Sequence, residues 1–564
     1  MKKYALGLDY GTNSCRSLIV DLDGGRELAD YVFNYPTGEA GVVIDPKDPN
    51  VARQHPQDYI DGCIETVREA LKIARSQEPD FSPDQIIGIG VDTTGSTPIP
   101  VDEQGVALAT QDRYKDNPDA MAWLWKDHTS HAEAALITET AARMRPKYLA
   151  KSGGTYSSEW FWSKVLHLKN VNEEVFNASF SFVELCDYVP GLLTGITDPL
   201  TMKRGICAAG HKAMYCDEWD GLPDKEFLAE LDPALADLRD RLFDKAYTSD
   251  VAAGGLCEEW AEKLGLKPGT SVAVGAFDAH MGGVGSGIRA GTLVKILGTS
   301  TCDMMVSPND QPLEDIVGVC GIVDGSILPG YYGIEAGQSA VGDIFLWFVN
   351  NLVPESYGST MDEKFENLAN RAAEQKTGAH GLLALDWNNG NRTVLVDVRL
   401  SGLLLGQTLH TKPHEIYQAL IEATAYGALT IINRIESYGV KVEQIVNCGG
   451  IAGKNELLMQ IYADVTGRPM KVSRSDQTCA LGAAIFGAVS AGPDVSGFNN
   501  MLEAQDATCG LRDEVYEPIP ENHEVYKKLF ALYSDLHDSF GTETWSGKLN
   551  HVMKDLIDIR QAQR

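Results

Sequence analysis

Short apolar runs, each closed by Gly, Asn or Asp, recur along the chain, and their spacing predicts strands. Tyr4–Asp9 and Arg16–Asp21 flank the turn Gly11-Thr12-Asn13-Ser14 and read as a hairpin. The period then changes. Residues 55–75 carry helical apolar spacing behind the start signal His55-Pro56-Gln57-Asp58. Ile86–Val91 is an apolar strand ending in Asp92-Thr93-Thr94-Gly95, and several helices follow, interrupted by the aromatic stretch Glu159-Trp160-Phe161-Trp162. Ser271–Phe277 predicts a buried strand ending at Asp278, with a Gly-rich helix start behind it. Thr292–Leu297 and Asp303–Val306 flank Gly298-Thr299-Ser300-Thr301 as a second strand-turn-strand unit. Further on come a strand at Gln444–Asn447, a glycine loop at Cys448–Gly453, a helix at Lys454–Thr466, a strand at Pro469–Ser473 and a helix at Cys479–Ala491. Beyond about residue 520 the pattern predicts a terminal helix or two and a polar tail.

The two hairpins share more than a pattern. Residues from Gly11 read G-T-N-S-C-R-S-L-I-V and residues from Gly298 read G-T-S-T-C-D-M-M-V. An internal repeat near half the chain length predicts two lobes of related α/β fold, with ligands at the strand ends. Length agrees, since 564 residues are too many for one hydrophobic core. The net charge of −31 argues against nucleic acid and anionic membrane as partners. A bound nucleotide is still compatible with that charge where backbone N–H groups and a metal ion make the site locally favourable. The eleven cysteines show no C-x-x-C pair, which fits a reducing compartment. The apolar stretch after Lys3 is broken by Gly7 and Asp9, too short for a signal peptide, and no run approaches the roughly 18 apolar residues of a membrane span. These features together predict a cytoplasmic protein.

The first hairpin has the chemistry of a phosphate cradle. A Gly-containing turn brings backbone N–H groups close to an anion, Thr12, Asn13 and Ser14 add polar side chains, and Arg16 supplies positive charge. Asp9 at the strand end makes sense beside phosphate chiefly if Mg²⁺ sits between them; the alternative is a plain hairpin with an exposed Asp. The second hairpin keeps Gly298, Thr299 and Ser300 but has Ile296 where the first has Asp9, so metal and reacting phosphoryl group belong with the first. Asp278 is the candidate general base for a hydroxyl nucleophile, with a helix cap or a second metal ligand as alternatives. Asp92 is the weaker candidate, since an Asp-Thr-Thr turn can satisfy its own backbone. In the Cys448–Gly453 loop, Gly449 and Gly450 leave room for a flat adenine, and Asn455 can hydrogen-bond the adenosine.

Leu6-Gly7-Leu8-Asp9-Tyr10-Gly11-Thr12, Gly275-Ala276-Phe277-Asp278, Leu297-Gly298-Thr299-Ser300 and Gly449-Gly450, in this order, resemble the FGGY carbohydrate kinases of the actin/hexokinase-like superfamily. The likeness runs from residue 4 to about 490. The segments between the motifs resemble the members that phosphorylate L-ribulose: Val91–Pro98, Leu124–Thr129, Tyr156–Trp162, Ala209–Lys212 and Glu335–Ser339. The resemblance implies two actin/ribonuclease-H-like lobes around a deep interlobe cleft: an N-terminal lobe at 1–285, a nucleotide-side lobe at 286–520 and a helical tail at 521–564. It implies ATP and Mg²⁺, and transfer of phosphate to the terminal hydroxyl of L-ribulose in L-arabinose breakdown. Asp278 would be the base, with Asp9 near Mg²⁺ and Thr12, Thr299, Gly337, Gly449, Gly450 and Asn455 around ATP. Ser96, Trp125, Lys212 and Glu335 would contact the sugar, although Trp125 also reads as a core aromatic and Lys212 with Glu335 as a surface ion pair. Other ketopentoses or pentitols remain alternative acceptors, and a chaperone-type module or a silent sugar sensor are the rival classes. Family habit is the sole ground for expecting a homodimer.

Overall fold

The computed structural model describes residues 2–563. The first lobe is built on a seven-stranded sheet. Its strands are β1 (Tyr4–Tyr10), β2 (Ser14–Asp21), β3 (Glu27–Asn34), β4 (Ile86–Thr93), β5 (Ala252–Gly255), β6 (Ser271–Ala273) and β7 (Ala276–Phe277). The order is β5-β6-β4-β1-β2-β3, with β7 paired to β4. β1 and β4 are buried almost throughout, as strands covered on both faces must be, and they run parallel, while β1-β2 and β2-β3 are antiparallel.

The second sheet repeats the first. Its strands are β8 (Thr292–Leu297), β9 (Thr301–Pro308), β10 (Gly321–Asp324), β11 (Tyr331–Ala336), β12 (Gln444–Cys448), β13 (Met470–Ser473) and β14 (Leu511–Tyr516), in the order β10-β11-β9-β8-β12-β13-β14. Two antiparallel pairings on one side of β8, parallel pairings to β12 and β13, and an antiparallel edge at β14 reproduce the first sheet strand for strand. β10 is the addition. The duplication expected from the sequence is thus present in the topology. The hairpin turns differ by one residue. Tyr10 pairs with Cys15 across Gly11–Ser14, whereas Leu297 pairs with Thr301 across Gly298–Ser300.

The helices that position the site are α1 (Pro56–Gln77), α2 (Phe161–Val171), α3 (Ile206–Lys212), α4 (Asp278–Gly285), α5 (Glu456–Thr466), α6 (Thr478–Ser490), α7 (Pro520–Gly541) and α8 (Val552–Gln563). The sequence-predicted strand Ser271–Phe277 is broken at Val274-Gly275. A Cβ on Gly275 would lie 2.0 Å from the Cys186 carbonyl oxygen, so the chain bends where it passes this backbone. Helix α6 comes from the second half of the chain but lies on β1 and β4 of the first sheet and crosses α4. Around these two helices, Ala5, Leu18 and Ala273 of the first sheet share one apolar cluster with Val294, Met304 and Val446 of the second. The residues after 520 form no separate tail: Tyr526, Leu529, Tyr533 and Leu556 of α7 and α8 lie in the second lobe's own core. Among the described residues no single helix is long and apolar enough to cross a membrane.

Candidate active site

Strand register gathers three carboxylates at the C-terminal ends of neighbouring strands. Asp9 and Asp92 are direct partners in the parallel β1-β4 ladder, and Ala276 of β7 sits opposite Asp92, which brings Asp278 to the same edge two residues later. Asp92 is fully buried and neither of its oxygens receives a hydrogen bond. It is not the self-satisfied turn residue that the sequence suggested. Burial, together with the negative charges of Asp9 and Asp278, pushes its carboxyl well above the ordinary carboxylate range. Asp9 is raised by burial too, although the Arg16 guanidinium, 3.4 Å away, pulls the other way. The donor-free Asp92 carboxylate paired beside Asp9 is the environment a hard divalent cation takes.

Asp278 opens α4, its Oδ1 accepting the Ala279 N–H at 2.6 Å. Burial, followed by the charge of Asp9, raises its carboxyl to about 7, the range a general base needs at neutral pH. On the facing side, Lys212 at the end of α3 donates to both oxygens of Glu335 on β11, at 3.1 and 3.3 Å. This is no surface pair: the two side chains are 8% and 13% exposed. Burial alone would neutralise both. Their mutual attraction wins, raising Lys212 and, with His211 and His280 adding to it, holding Glu335 well below the ordinary carboxylate range. Nitrogens of His211 and His280 and an oxygen of Glu335 lie within 4.8 Å of one another, but the cation this carboxylate meets is the Lys212 ammonium.

The structure distributes the remaining expected residues unevenly. Gly298, Thr299, Gly450 and Asn455 line one groove of about 1220 Å³ in the second lobe, with Phe365 and Tyr417 on its apolar side. Gly450 has open space at its Cβ position, as a residue beneath a flat ring requires. Gly449, at φ +90°, instead makes the turn over Leu297. Asn455 caps α5, its Oδ1 accepting the Leu458 N–H at 3.0 Å and its Nδ2 donating to the Tyr417 hydroxyl at 3.1 Å. Gly337 is a close-packing glycine whose N–H already goes to Thr393 Oγ1 at 3.3 Å. Thr12, Asn13, Ser14 and Arg16 lie on the other lobe. Asn13 reaches the Ala40 carbonyl at 2.6 Å, and the Thr12 hydroxyl accepts the Trp125 indole N–H at 3.0 Å. Ser96 is fully buried with its hydroxyl donating to Glu184.

Sequence patterns undervalue Asp92 and miss Lys164, Glu184 and Arg392. Asp92 was visible as a strand-end Asp, but its lack of donors was not. Lys164 and Glu184 carry no local signal, because only the fold brings them to Ser96. Arg392 is half-buried; burial works against its guanidinium charge, and the carboxylates of Glu159 and Glu335 outweigh that and raise its pKa.

Two lobes of one topology, joined through crossed helices, are the architecture of the actin/hexokinase-like proteins, and strand-end carboxylates on one lobe with a nucleotide-sized groove on the other fit a phosphotransferase of that class. Residues 4–285 match the N-terminal domain of the FGGY family of carbohydrate kinases, and residues 293–491 match its C-terminal domain. The chain belongs to this family. It is 43% identical to a ribulokinase of Halalkalibacterium halodurans and 42% identical to one of Geobacillus thermodenitrificans, in each case over 100% of this chain and 98% of the relative. In fold it is similar to a xylulose kinase from Rhodospirillum rubrum (TM-score 0.77, 22% identity, 95% of this chain and 99% of that one). It is also similar to Plasmodium falciparum glycerol kinase with ADP (TM-score 0.74, 15% identity, 95% and 98% covered).

Proposed function

We propose that this chain transfers the γ-phosphoryl group of ATP to the terminal hydroxyl of L-ribulose, giving L-ribulose 5-phosphate and ADP. The observation that carries the chemistry is Asp278, a carboxylate raised to about 7 at the edge shared with Asp9 and Asp92 and facing the Lys212–Glu335 pair. The choice of acceptor is supported by the full-length relatives named ribulokinase.

In this reading the lobes divide near residue 285. The first holds the sugar, and the second, with the helices after residue 520 built into it, holds the nucleotide. Adenosine lies in the groove over Gly450, and the two hairpins take the phosphates through backbone N–H groups, Thr12 and Thr299. Asp9 and Asp92 would hold Mg²⁺, whose contribution is to neutralise phosphate charge. Lys212 and Glu335 offer one donor and one acceptor to sugar hydroxyls, and Trp125 and the Ser96 turn wall the pocket. Asp278 takes the proton of the attacking hydroxyl as the P–O bond forms. Exclusion of water protects ATP from hydrolysis.

Measuring kcat/KM for ADP release over the four 2-ketopentoses and their pentitols tests the assignment. L-Ribulose is expected to lead. ADP release no faster with L-ribulose than without sugar would sink it, and sugar binding without turnover would point to a sensor.

A further inference from the structure

The wall assigned above to the sugar is made of two turns far apart in sequence, 94–97 and 123–125, and one buried side chain holds both. Lys164 projects from α2 and is 1% exposed. Its ammonium donates to the Ser96 carbonyl at 2.8 Å, the Leu124 carbonyl at 2.9 Å and the Trp123 carbonyl at 3.3 Å. An ammonium has three N–H donors, so all are used. Glu184 grips the first turn from its other side, accepting the Ser96 hydroxyl and, at 2.7 Å, the Thr97 N–H. The second turn leads into Trp125, whose indole reaches Thr12 of the phosphate hairpin. A single lysine thus fixes the distance between the two halves of the wall.

We propose that Lys164 is a positioning residue for the sugar: by tying the Ser96 turn to the Trp123–Leu124 turn it sets affinity for the acceptor and not for ATP. The proposal rests on the reading of these two turns as the sugar wall.

Lys164 also gives the wall a pH dependence. Burial pushes its ammonium down to about 7, with Arg53 and Lys212 acting in the same sense and Glu184 and Glu159 opposing them. A neutral amine has two N–H donors for three carbonyls, so one carbonyl loses its partner as pH rises through this value.

The experiment is L-ribulose affinity by calorimetry without nucleotide, and steady-state KM for both substrates, between pH 6 and 9. In the wild type the sugar Kd should rise several-fold, to about tenfold, above pH 7, with ATP KM flat. Lys164→Met should show the weak sugar binding at every pH and ATP KM within about twofold of wild type, and, measured in an Asp278→Asn background where the base near 7 no longer titrates, no pH break. Glu184→Gln, which removes the charge that favours the ammonium, should move the break to lower pH, and it keeps the test open if Lys164→Met fails to fold. A purely structural lysine would lower Tm without a selective, pH-dependent loss of sugar affinity. The proposal is overturned by a pH-independent sugar Kd in the wild type, or by equal losses for sugar and ATP. Trp125→Leu separates the layers. If it leaves the sugar Kd unchanged, the wall itself is wrong and the proposal goes with it. If it weakens binding while Lys164→Met does not, the proposal alone fails.

Discussion

Burial works against the charge of Asp9, Asp92 and Asp278 alike; the charge of Asp9 raises both other carboxyls, and that of Asp278 raises Asp92 as well. For Asp278 the consequence has two signs. Catalysis gains, because a base near 7 takes a hydroxyl proton more readily than one near 3.8. Stability loses. The folded-state value lies above the unfolded one, so the stabilisation available to the protonated carboxyl is complete below about pH 4 and is lost as pH rises through about 7. Asp278→Asn, which mimics the protonated form, should therefore lower kcat by roughly 10²–10⁴ and yet raise Tm at pH 8 by about 1–3 °C. The Tm gain should vanish near pH 4, and calorimetry with steady-state kinetics checks both. A variant with near wild-type turnover would remove Asp278 from its role. In the wild type, kcat at saturating sugar and ATP should climb as pH rises toward and through 7, while that of the Asn variant stays flat. Asp9 and Asp278 were legible as strand-end carboxylates in the sequence. Asp92 was legible in the same way but read as a self-satisfied turn, because whether a carboxylate finds donors depends on what the fold leaves beside it.

Glycines at the crossing of α4 and α6 show why element-level prediction stopped where it did. A Cβ on Gly482 would lie 1.9 Å from the Met281 carbonyl oxygen, and one on Gly285 would lie 2.0 Å from that of Thr478. The helices touch backbone to backbone, and α6 meets the first sheet in the same way at Gly90. Gly482→Ala is expected to cost about 1–3 kcal/mol through overpacking, seen as a lower Tm. Gly450→Ala is the counter-case, since the space above it is open. It should leave Tm within about 1 °C and raise the ATP KM roughly threefold or more. If both variants lost stability alone, Gly450 would not face the nucleotide. Strand and helix periods were readable because each depends on its own neighbours. Apolar runs closed by turn residues revealed both hairpins, helical apolar spacing revealed the helix at residues 55–75, and repetition revealed the duplication. The break at Gly275 and the one-residue difference between the turns depend on distant backbone, so no local pattern announces them.

At the scale of the molecule, nucleotide site and C-terminal helices are one mechanical unit. Tyr533 of α7 donates to Asp386 Oδ1 at 2.9 Å, Asp386 Oδ2 accepts from Gln338 at 2.8 Å, and Gln338 Oε1 accepts from Lys295 of β8 at 3.1 Å. Lys295 in turn is paired with Asp303 at 2.8 Å, across the hairpin that ends at Gly298. A buried polar chain of this kind fixes its members only while the surrounding core stays closed. Leu529, fully packed on α7, is part of that closure. Leu529→Ala should cost about 2–5 kcal/mol by leaving a cavity. Because α6 and α4 carry a core common to both sheets, the damage should not stay in the second lobe. Hydrogen exchange of the β1 and β4 amides should accelerate together with that of β8 and β12. Acceleration confined to the second sheet would mean that the lobes open independently and that the shared cluster does not couple them. Coupled opening, by contrast, would link the grip on the nucleotide to the sheet that bears Asp9 and Asp92.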